Sequence, residues 1–284
     1  MSKTNRVGFI KGWIGACHPY PLAMVITLTA LIGLASADGS PEAQHFLRVL
    51  LAMFYSQLAI GWSNDYLDRE VDAVHQPWKP IPSGLVEPQL LRVAIVVALI
   101  GAMAEGVSLG VVPLLLLAAG TCAGLAYNTG LKDTRLSALP YVVAFAVLPP
   151  FVWTALDVYR GDFLLLYPIA APLAVAAHFA NLLPDLETDA AAGRRNAVVA
   201  LGRTRTLACI FVALLAPFVA LDTSLIWLHY DTALLIATLI VYVTLIAAVG
   251  LFYARARDRD AYVWAFRLVA LAAVLFAGGW LAAL

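Results

Sequence analysis

The residues best suited to chemistry begin with an acidic segment at 64–72, whose sequence is NDYLDREVD. Asp65, Asp68 and Asp72 are spaced i, i+3 and i+7, so on a helix they share one face about two turns long, and Asn64 lies next to that face. Carboxylates on one face repel each other unless a multivalent cation lies between them. The spacing therefore predicts a cation site.

A second acidic segment occupies 185–189, where Asp185 and Asp189 are spaced i, i+4. Asn181 lies one helical turn before Asp185, and His178 lies one turn before Asn181. Two acidic faces that meet across a cavity form an oxygen-rich site of the kind Mg²⁺ prefers, with waters retained and phosphates bridged. For His178 two interpretations are open, a hydrogen-bonded interhelical residue or a base.

Basic side chains accompany both acidic segments. Lys79 opens the stretch KPIPSG, Lys132 ends the stretch YNTGLK, and Arg194 and Arg195 follow the second segment. A lysine can contact phosphate oxygens as a point charge, and an arginine can do so bidentately. The alternative is that these charges only anchor loops at the membrane surface. Together with carboxylates and a metal, they are the groups that stabilise a diphosphate leaving group.

Apolar helices must position these groups. Of the 284 residues, 62% are hydrophobic and 13% are charged, and the mean hydropathy is +0.86; soluble proteins carry about 25% charged residues. The apolar runs are continuous, which favours helices over the alternating strands of a barrel. We predict an all-α membrane protein with one domain over 1–284. Nine spans are predicted, at 20–37, 44–62, 90–108, 111–128, 139–157, 163–183, 206–226, 232–254 and 262–283.

The loop charges predict the orientation in the cell membrane. Lys and Arg gather in alternate loops, while the opposite loops contain only Arg160. By the positive-inside rule, the N-terminus, the loops with the motifs and a central cavity face the cytoplasm, and the C-terminus lies on the other side. Arg255, Arg257 and Arg259 are interpreted as anchors. A net charge of +0 argues against a nucleic-acid partner.

These motifs resemble those of the UbiA superfamily of intramembrane prenyltransferases. The family pattern NDxxDxxxD, followed by a basic residue and Pro-x-Pro-Ser-Gly, is similar to 64–72 with 79–84. The segment 185–189, with Gly193 and Leu201-Gly202 downstream, resembles the second family motif, and 127–132 resembles the connecting-loop motif. The short gap from Asp72 to Lys79 looks like the chlorophyll-synthase and archaeal ether-lipid branches, and less like the quinone branch.

The resemblance implies a nine-helix bundle that transfers an isoprenyl group from an isoprenyl diphosphate to an aromatic, tetrapyrrole or lipid acceptor, with two Mg²⁺ ions. The catalytic carboxylates and metal ligands carried over by position are Asn64, Asp65, Asp68, Asp72, Asp185 and Asp189. The diphosphate contacts carried over are Lys79, Tyr127, Lys132, Arg69 and Arg194. Glu187 lies inside the second motif, which leaves open which carboxylates there bind directly, and Tyr127 has the alternative role of an interfacial tyrosine.

In this mechanism the allylic carbon–oxygen bond ionises, and the bundle shields the carbocation from water. Aromatic faces would stabilise the cation. Candidates for contacts with the prenyl chain or acceptor are Phe54, Tyr55, Trp62, His178, Phe179 and Asn181.

Two other functions stay open. A terpene cyclase of the same superfamily would ionise the diphosphate without an acceptor. A cation-coupled transporter is the alternative from another class, but transporters place acids near the membrane midplane on broken helices, whereas these acids lie at helix ends. The sequence leaves the prenyl length, the acceptor and the oligomeric state open.

Overall fold

The computed structural model describes residues 3–37, 40–256 and 258–284, so Arg257, one of the predicted anchors, lies outside the described residues. The regular elements in these ranges are helical. The α-helices are α1 Lys3–Ala16, α2 Pro19–Ser36, α3 Ala43–His75, α4 Pro88–Leu109, α5 Val111–Asn128, α6 Ala138–Leu156, α7 Leu166–Leu182, α8 Leu186–Ala191, α9 Ala197–Ser224, α10 Thr232–Arg255 and α11 Arg259–Ala283. Short 3₁₀ helices occupy Leu131–Asp133, Gly161–Leu165 and Leu183–Asp185.

Nine helical stretches among the described residues are long and apolar enough to cross a membrane. They are α2 to α6, α9 to α11, and one stretch from Gly161 to Ala191 that contains α7 and α8. The predicted all-α, nine-span architecture is therefore confirmed. The structure adds α1, and it extends α3 well beyond the predicted end at 62, so that α3 carries the whole first acidic segment.

Helix ends follow local sequence signals. Pro19 and Pro88 stand at the first positions of α2 and α4, where a missing N–H costs nothing. Glu42 accepts hydrogen bonds from two backbone N–H groups at the start of α3, and Asn196 accepts one, from the Val199 N–H, at the start of α9. Gly202 interrupts α9 with φ 74°, a left-handed conformation that glycine adopts without strain.

Six helices form a closed ring in which each contacts the next, in the order α2, α3, α5, α6, α7 and α11. The remaining spans pack outside this ring, α4 on α3 and α5, α9 on α7, and α10 on α11. Close approach is needed between α3 and α5, because a Cβ on Gly124 would lie 2.5 Å from the Ile60 side chain. Exposed apolar side chains such as Ile100 and Met103 of α4 match an outer surface in contact with lipid.

The two ends of the ring differ. The loops after α3, α5, α8 and α10 meet at one end, where the Arg195 N–H donates to the Asp133 carbonyl oxygen at 3.2 Å. The C-terminus lies at the other end, where the Asp231 N–H donates to the Ala283 carbonyl oxygen at 2.8 Å. The structure thus separates the acidic segments from the C-terminus, and the cytoplasmic assignment of the acidic end stays a prediction.

Candidate active site

A cavity of about 560 Å³ lies inside the ring of six helices. At the end where the loops meet, its lining is charged. Those charged residues are Asp68, Asp72, Lys79, Lys132, Asp185, Asp189, Arg194 and Arg259. Deeper in the ring the lining is apolar, with Met24, Val25, Met53, Leu116, Leu117, Phe145, Leu148 and Phe151. A charged group and a long apolar chain on the same ligand would both find a matching surface.

One face of α3 forms a wall of this cavity. Gln57, Ile60, Asn64, Asp68 and Asp72 recur every three or four residues and all line it, as the helical period requires. The same period turns Phe54 and Tyr55 away, and the Tyr55 ring packs against Gly101 of α4. The predicted contacts of Phe54 and Tyr55 with substrate are therefore corrected, because both lie outside the lining.

Lys79 joins two carboxylates of the first acidic segment. Its Nζ lies 2.8 Å from Asp72 Oδ2 and 3.5 Å from Asp65 Oδ1. The second partner of Asp65 is His18, whose Nε2 lies 3.1 Å from Oδ1. Asp65 is buried beneath these groups, while His18 and Lys79 line the cavity. Asp65 itself lies outside the lining and contacts two groups that form it, and its role as a metal ligand stays a prediction.

Asp68 is the carboxylate that the other cations approach. Lys132 Nζ donates to both of its oxygens at 2.6 Å, and Arg194 Nη2 lies 3.8 Å from Oδ1. Lys132 is placed by the turn after α5, which is fixed to α3 through Asn128. The Asn128 side chain donates to the Ile60 carbonyl oxygen at 2.8 Å and accepts from Asn64 Nδ2 at 3.2 Å.

The second acidic segment lies on a 3₁₀ helix and on the short α8. Asp185 Oδ1 accepts from Arg259 Nε at 2.9 Å, and Asp189 Oδ2 accepts from Asn196 Nδ2 at 2.8 Å. Glu187 pairs with Arg203 at 2.6 Å and its side chain is 83% exposed. Asp185 and Asp189 line the cavity and Glu187 does not, which favours Asp185 and Asp189 as the candidate ligands of this segment.

Arg194 connects the two acidic segments. Its Nη2 approaches Asp68 of the first segment. Its Nε lies 3.6 Å from Asp189 Oδ1 and 3.4 Å from Asp133 Oδ1. Arg195 is exposed and does not line the cavity. Of the two predicted arginines, only Arg194 is therefore in position to contact a ligand.

Lys79 and Arg194, two of the cations in the loops, keep their charge at physiological pH. Burial alone would lower the pKa of Lys79, but the carboxylates of Asp65 and Asp72 outweigh burial and raise it above its ordinary value. Burial likewise acts to lower the pKa of Arg194, and the surrounding carboxylates, Asp133 and Asp189 first, raise it overall.

Aromatic and amide groups form the next layer of the cavity. Tyr127, Tyr141 and Asn181 line it, and Asn181 Nδ2 donates to the Tyr141 hydroxyl at 3.4 Å. His178 is fully buried behind these tyrosines, and its Nε2 lies 3.1 Å from Ser137 Oγ. Because His178 is outside the lining, its geometry favours the interhelical interpretation over that of a base.

Three other predicted residues point elsewhere. Arg69 donates to the Tyr66 carbonyl oxygen at 2.7 Å and to Glu70 at 3.0 Å, so its guanidinium lies outside the lining. Trp62 packs edge-on against Trp13 of α1, with ring centroids 5.5 Å apart. Phe179 is buried beside His178 and also lies outside the lining.

The sequence analysis missed two functional candidates, His18 and Arg259. His18 precedes α2 with φ 50°, a left-handed conformation that few non-glycine residues adopt. Nothing in the surrounding run His18-Pro19-Tyr20-Pro21 points to Asp65. Arg259, which the sequence predicts to be an anchor, also lines the cavity and forms an ion pair with Asp185.

The donor set suits a metal that a substrate helps to bind. Among the described residues, no three His, Cys, Asp or Glu side chains are placed to hold a metal ion by themselves. Mg²⁺ usually keeps several waters and binds one or two carboxylates together with substrate phosphates. Asp68 and Asp72 on one wall, and Asp185 and Asp189 on another, fit that manner of binding.

Comparison with known proteins gives a consistent result. The model of the UbiA prenyltransferase family matches residues 24–271. The chain is 31% identical to the digeranylgeranylglyceryl phosphate synthase of Korarchaeum cryptofilum over 160 residues, which cover 55% of this chain and 56% of that protein. It is 32% identical to the enzyme of the same name from Methanopyrus kandleri over 203 residues, covering 66% and 71%. The match thus spans little more than half the length of the Korarchaeum protein.

The fold also matches a solved structure. A UbiA homologue from Archaeoglobus fulgidus, bound to DMAPP and Mg²⁺, superposes with a TM-score of 0.74 at 16% sequence identity, over 95% of this chain and 99% of that one. At this identity the likeness concerns the fold, and it extends over nearly the whole chain.

Proposed function

The chain belongs to the UbiA prenyltransferase family, and from this we propose that it transfers an isoprenyl group from an isoprenyl diphosphate to an acceptor in a Mg²⁺-dependent reaction within the membrane. The observation that carries the proposal is the cavity itself. Two acidic segments and four basic side chains meet at one end of a space whose deeper lining is largely apolar. This pattern matches a diphosphate attached to a hydrocarbon chain.

We propose that two Mg²⁺ ions bind with the diphosphate, one at each acidic segment. Asn64, Asp68 and Asp72 would hold one, and Asp185 and Asp189 the other. Bound Mg²⁺ supplies charge that stabilises the departing diphosphate. The Archaeoglobus homologue, bound to DMAPP and Mg²⁺, supports metal dependence.

The chain's own cations complete the leaving-group site. Lys79, Lys132 and Arg194 each contact a carboxylate in the structure. When a diphosphate enters, these cations can turn from the carboxylates to phosphate oxygens, and the carboxylates become free for metal. Electrostatic stabilisation of a leaving group is usually the largest catalytic contribution.

The remaining lining controls the fate of the carbocation. Tyr127, Tyr141 and Phe145 lie where the charged end meets the apolar region, and their ring faces can stabilise positive charge. The apolar walls exclude water, which would otherwise capture the cation. The acceptor oxygen or carbon then bonds to the first prenyl carbon, and the acceptor's proton passes to the released diphosphate.

We propose a lipid acceptor with a glycerol backbone and a phosphate. The support is that the relatives are named digeranylgeranylglyceryl phosphate synthases, a name that describes a phosphorylated glycerol lipid with two prenyl chains. The transferred chain would lie in the deep apolar part of the cavity. We also propose that the charged end faces the cytoplasm, because the loop charges favour it.

Mass spectrometry of membranes that contain the chain tests the proposal. Membranes supplied with labelled C15, C20 and longer diphosphates should yield a labelled prenylated lipid and free diphosphate. A chelator should abolish this product and added Mg²⁺ should restore it. Full turnover in the presence of chelator would refute the metal requirement.

The same experiment separates the alternatives. A cyclic hydrocarbon or alcohol made from the diphosphate alone would indicate a terpene cyclase. Absence of any diphosphate consumption, together with cation flux across vesicles, would indicate a transporter, an outcome that family membership argues against.

A further inference from the structure

One cation in the cavity wall differs from the rest. The basic side chains of the lining, apart from histidines, are Lys79, Lys132, Arg194, Arg259 and Arg267. The first four each have a carboxylate oxygen within 4 Å, at 2.8, 2.6, 3.4 and 2.9 Å respectively. In the part of the chain that the structure describes, no carboxylate lies within ion-pair distance of Arg267.

Arg267 is held in place by aromatic rings. Its guanidinium carbon lies 4.5 Å from the centroid of the Trp264 ring and 5.5 Å from that of Tyr20. The Tyr20 hydroxyl donates to the Arg267 carbonyl oxygen, which fixes α11 against the start of α2. Val263, Phe266 and Ala270 surround it on the same wall. The charge therefore faces a largely apolar part of the cavity in a defined position.

A charge in a membrane-spanning helix is costly and usually functional. Contact with two rings offsets only part of that cost. An anion supplied by a ligand would offset the rest, and a guanidinium pairs with phosphate through two parallel hydrogen bonds. Because Arg267 has no carboxylate to displace, it can bind an anion directly.

The position of Arg267 separates it from the diphosphate end. It lies eight residues beyond Arg259, which is about 12 Å along the helix axis. Arg259 pairs with Asp185 of the second acidic segment, so Arg267 is about two turns deeper in the membrane. A diphosphate seated among the acidic segments would leave this arginine for a different anionic group.

We propose that Arg267 binds the phosphate of the acceptor lipid, which makes the wall between α2 and α11 the acceptor site. This inference rests on the proposed function. In the reaction, the acceptor hydroxyl oxygen bonds to the first prenyl carbon, the carbon–oxygen bond to the diphosphate breaks with its electron pair on the diphosphate, and the hydroxyl proton passes to that leaving group. The acceptor phosphate stays on Arg267 throughout.

Steady-state kinetics of the full chain in lipid nanodiscs tests this role. The donor is geranylgeranyl diphosphate, and the acceptors are geranylgeranylglyceryl phosphate and the same lipid without its phosphate. In Arg267→Met, KM for the phosphorylated acceptor should rise about 30-fold, as expected for a lost charge-assisted contact. KM for the donor, and KM for the uncharged acceptor, should not change.

Two further variants serve as controls. Arg267→Lys keeps the charge but loses the paired geometry, so it should recover most of the affinity for the phosphorylated acceptor. Arg92→Met removes an exposed charge from α4, outside the ring, and should behave as wild type. If Arg267→Met does not fold, the wild type still tests the proposal, because equal KM values for the two acceptors would overturn it.

Each contrary outcome has its own meaning. An equal rise in KM for both acceptors would mean that Arg267 only packs the wall, and a rise for the donor would place it in the diphosphate site. Lower thermal stability with unchanged KM would indicate an anchor to membrane-lipid phosphates. Prenylation of both lipids with equal KM values would overturn this inference alone, whereas donor consumption without any prenylated lipid, or no donor consumption, would overturn the proposed function.

Discussion

The two acidic segments, each proposed to hold a metal ion, lie on different structural supports. The first lies on the uninterrupted α3, and the side chains of Asp65 and Asp72 are only 3% and 5% exposed. The second begins on a 3₁₀ helix and continues on the six-residue α8, and its Asp185 side chain is 31% exposed. The first segment is therefore positioned by a long helix, and the second depends on its loop neighbours.

The difference has an electrostatic side as well. Lysines with short ion pairs neutralise the first segment, while two arginines and the Asn196 amide contact the second. Removing the charge of a buried carboxylate changes its interaction energy with neighbouring charges more than removing the charge of a carboxylate that water can reach. We therefore expect the first segment to be the less tolerant of substitution, and four experiments test that ranking.

The largest effect is expected for Asp72→Asn. The change keeps shape but removes the charge that pairs with Lys79 and is proposed to bind metal, so prenyl transfer should fall about 1,000-fold. The measurement is kcat for labelled product in nanodiscs. Glu70→Gln is the matched control, since Glu70 lies in the same segment with an 83% exposed side chain. Retention of more than a tenth of the activity would contradict the ranking.

Asp185→Asn should have a smaller effect, with a loss of about 100-fold, because solvent and the neighbouring Asp189 can partly replace it. Glu187→Gln serves as control in this segment, and its activity should match wild type. Equal losses of activity in Asp185→Asn and Asp72→Asn at the same Mg²⁺ concentration would contradict the expected difference between the two segments.

Asn196 tests how far the second segment depends on its neighbours. Its side chain caps α9 through the Val199 N–H and donates to Asp189. Asn196→Ser keeps a cap but loses the contact with Asp189, so activity should fall about tenfold with little change in stability. Asn196→Ala should also lose about 1 kcal/mol of stability by thermal or chemical unfolding. If the serine variant is fully active, Asp189 does not need this support.

The smallest effect is expected for Arg69→Gln. The sequence resemblance places Arg69 at the diphosphate, but its guanidinium contacts Tyr66 and Glu70 instead. Activity should stay within about twofold of wild type, as for other surface substitutions. Arg194→Gln is the comparison, and its KM for the prenyl diphosphate should rise at least about tenfold. A large loss in Arg69→Gln would restore the sequence-based assignment.

Hydropathy and motif spacing were sufficient to predict the nine spans and the two acidic segments. Continuous apolar runs have few alternatives in a membrane, and carboxylates at i, i+3 and i+7 share a face on any helix. The helical period predicted less well which single side chains line the cavity. Phe54, Tyr55 and Arg69 lie one or two residues from lining positions, which is enough to rotate each out of the cavity.

Contacts between distant parts of the chain were beyond the sequence pattern. His18 reaches Asp65 because the chain breaks between α1 and α2, and Arg259 reaches Asp185 because α11 packs on α7. Neither pairing has a fixed spacing in the sequence. Such residues are identified only when the ring of helices closes and brings them to one end.

The ion pairs at the charged end would compete with both proposed ligands. Lys79, Lys132 and Arg194 pair with carboxylates that we propose to bind metal, and these are the cations that we propose to bind the diphosphate. In the proposed mechanism, metal alone or diphosphate alone would break these pairs without full compensation, whereas both together would give the carboxylates and the cations new partners. The two ligands should therefore bind cooperatively. The ion pairs should also keep the charged end folded between turnovers, when neither ligand is bound.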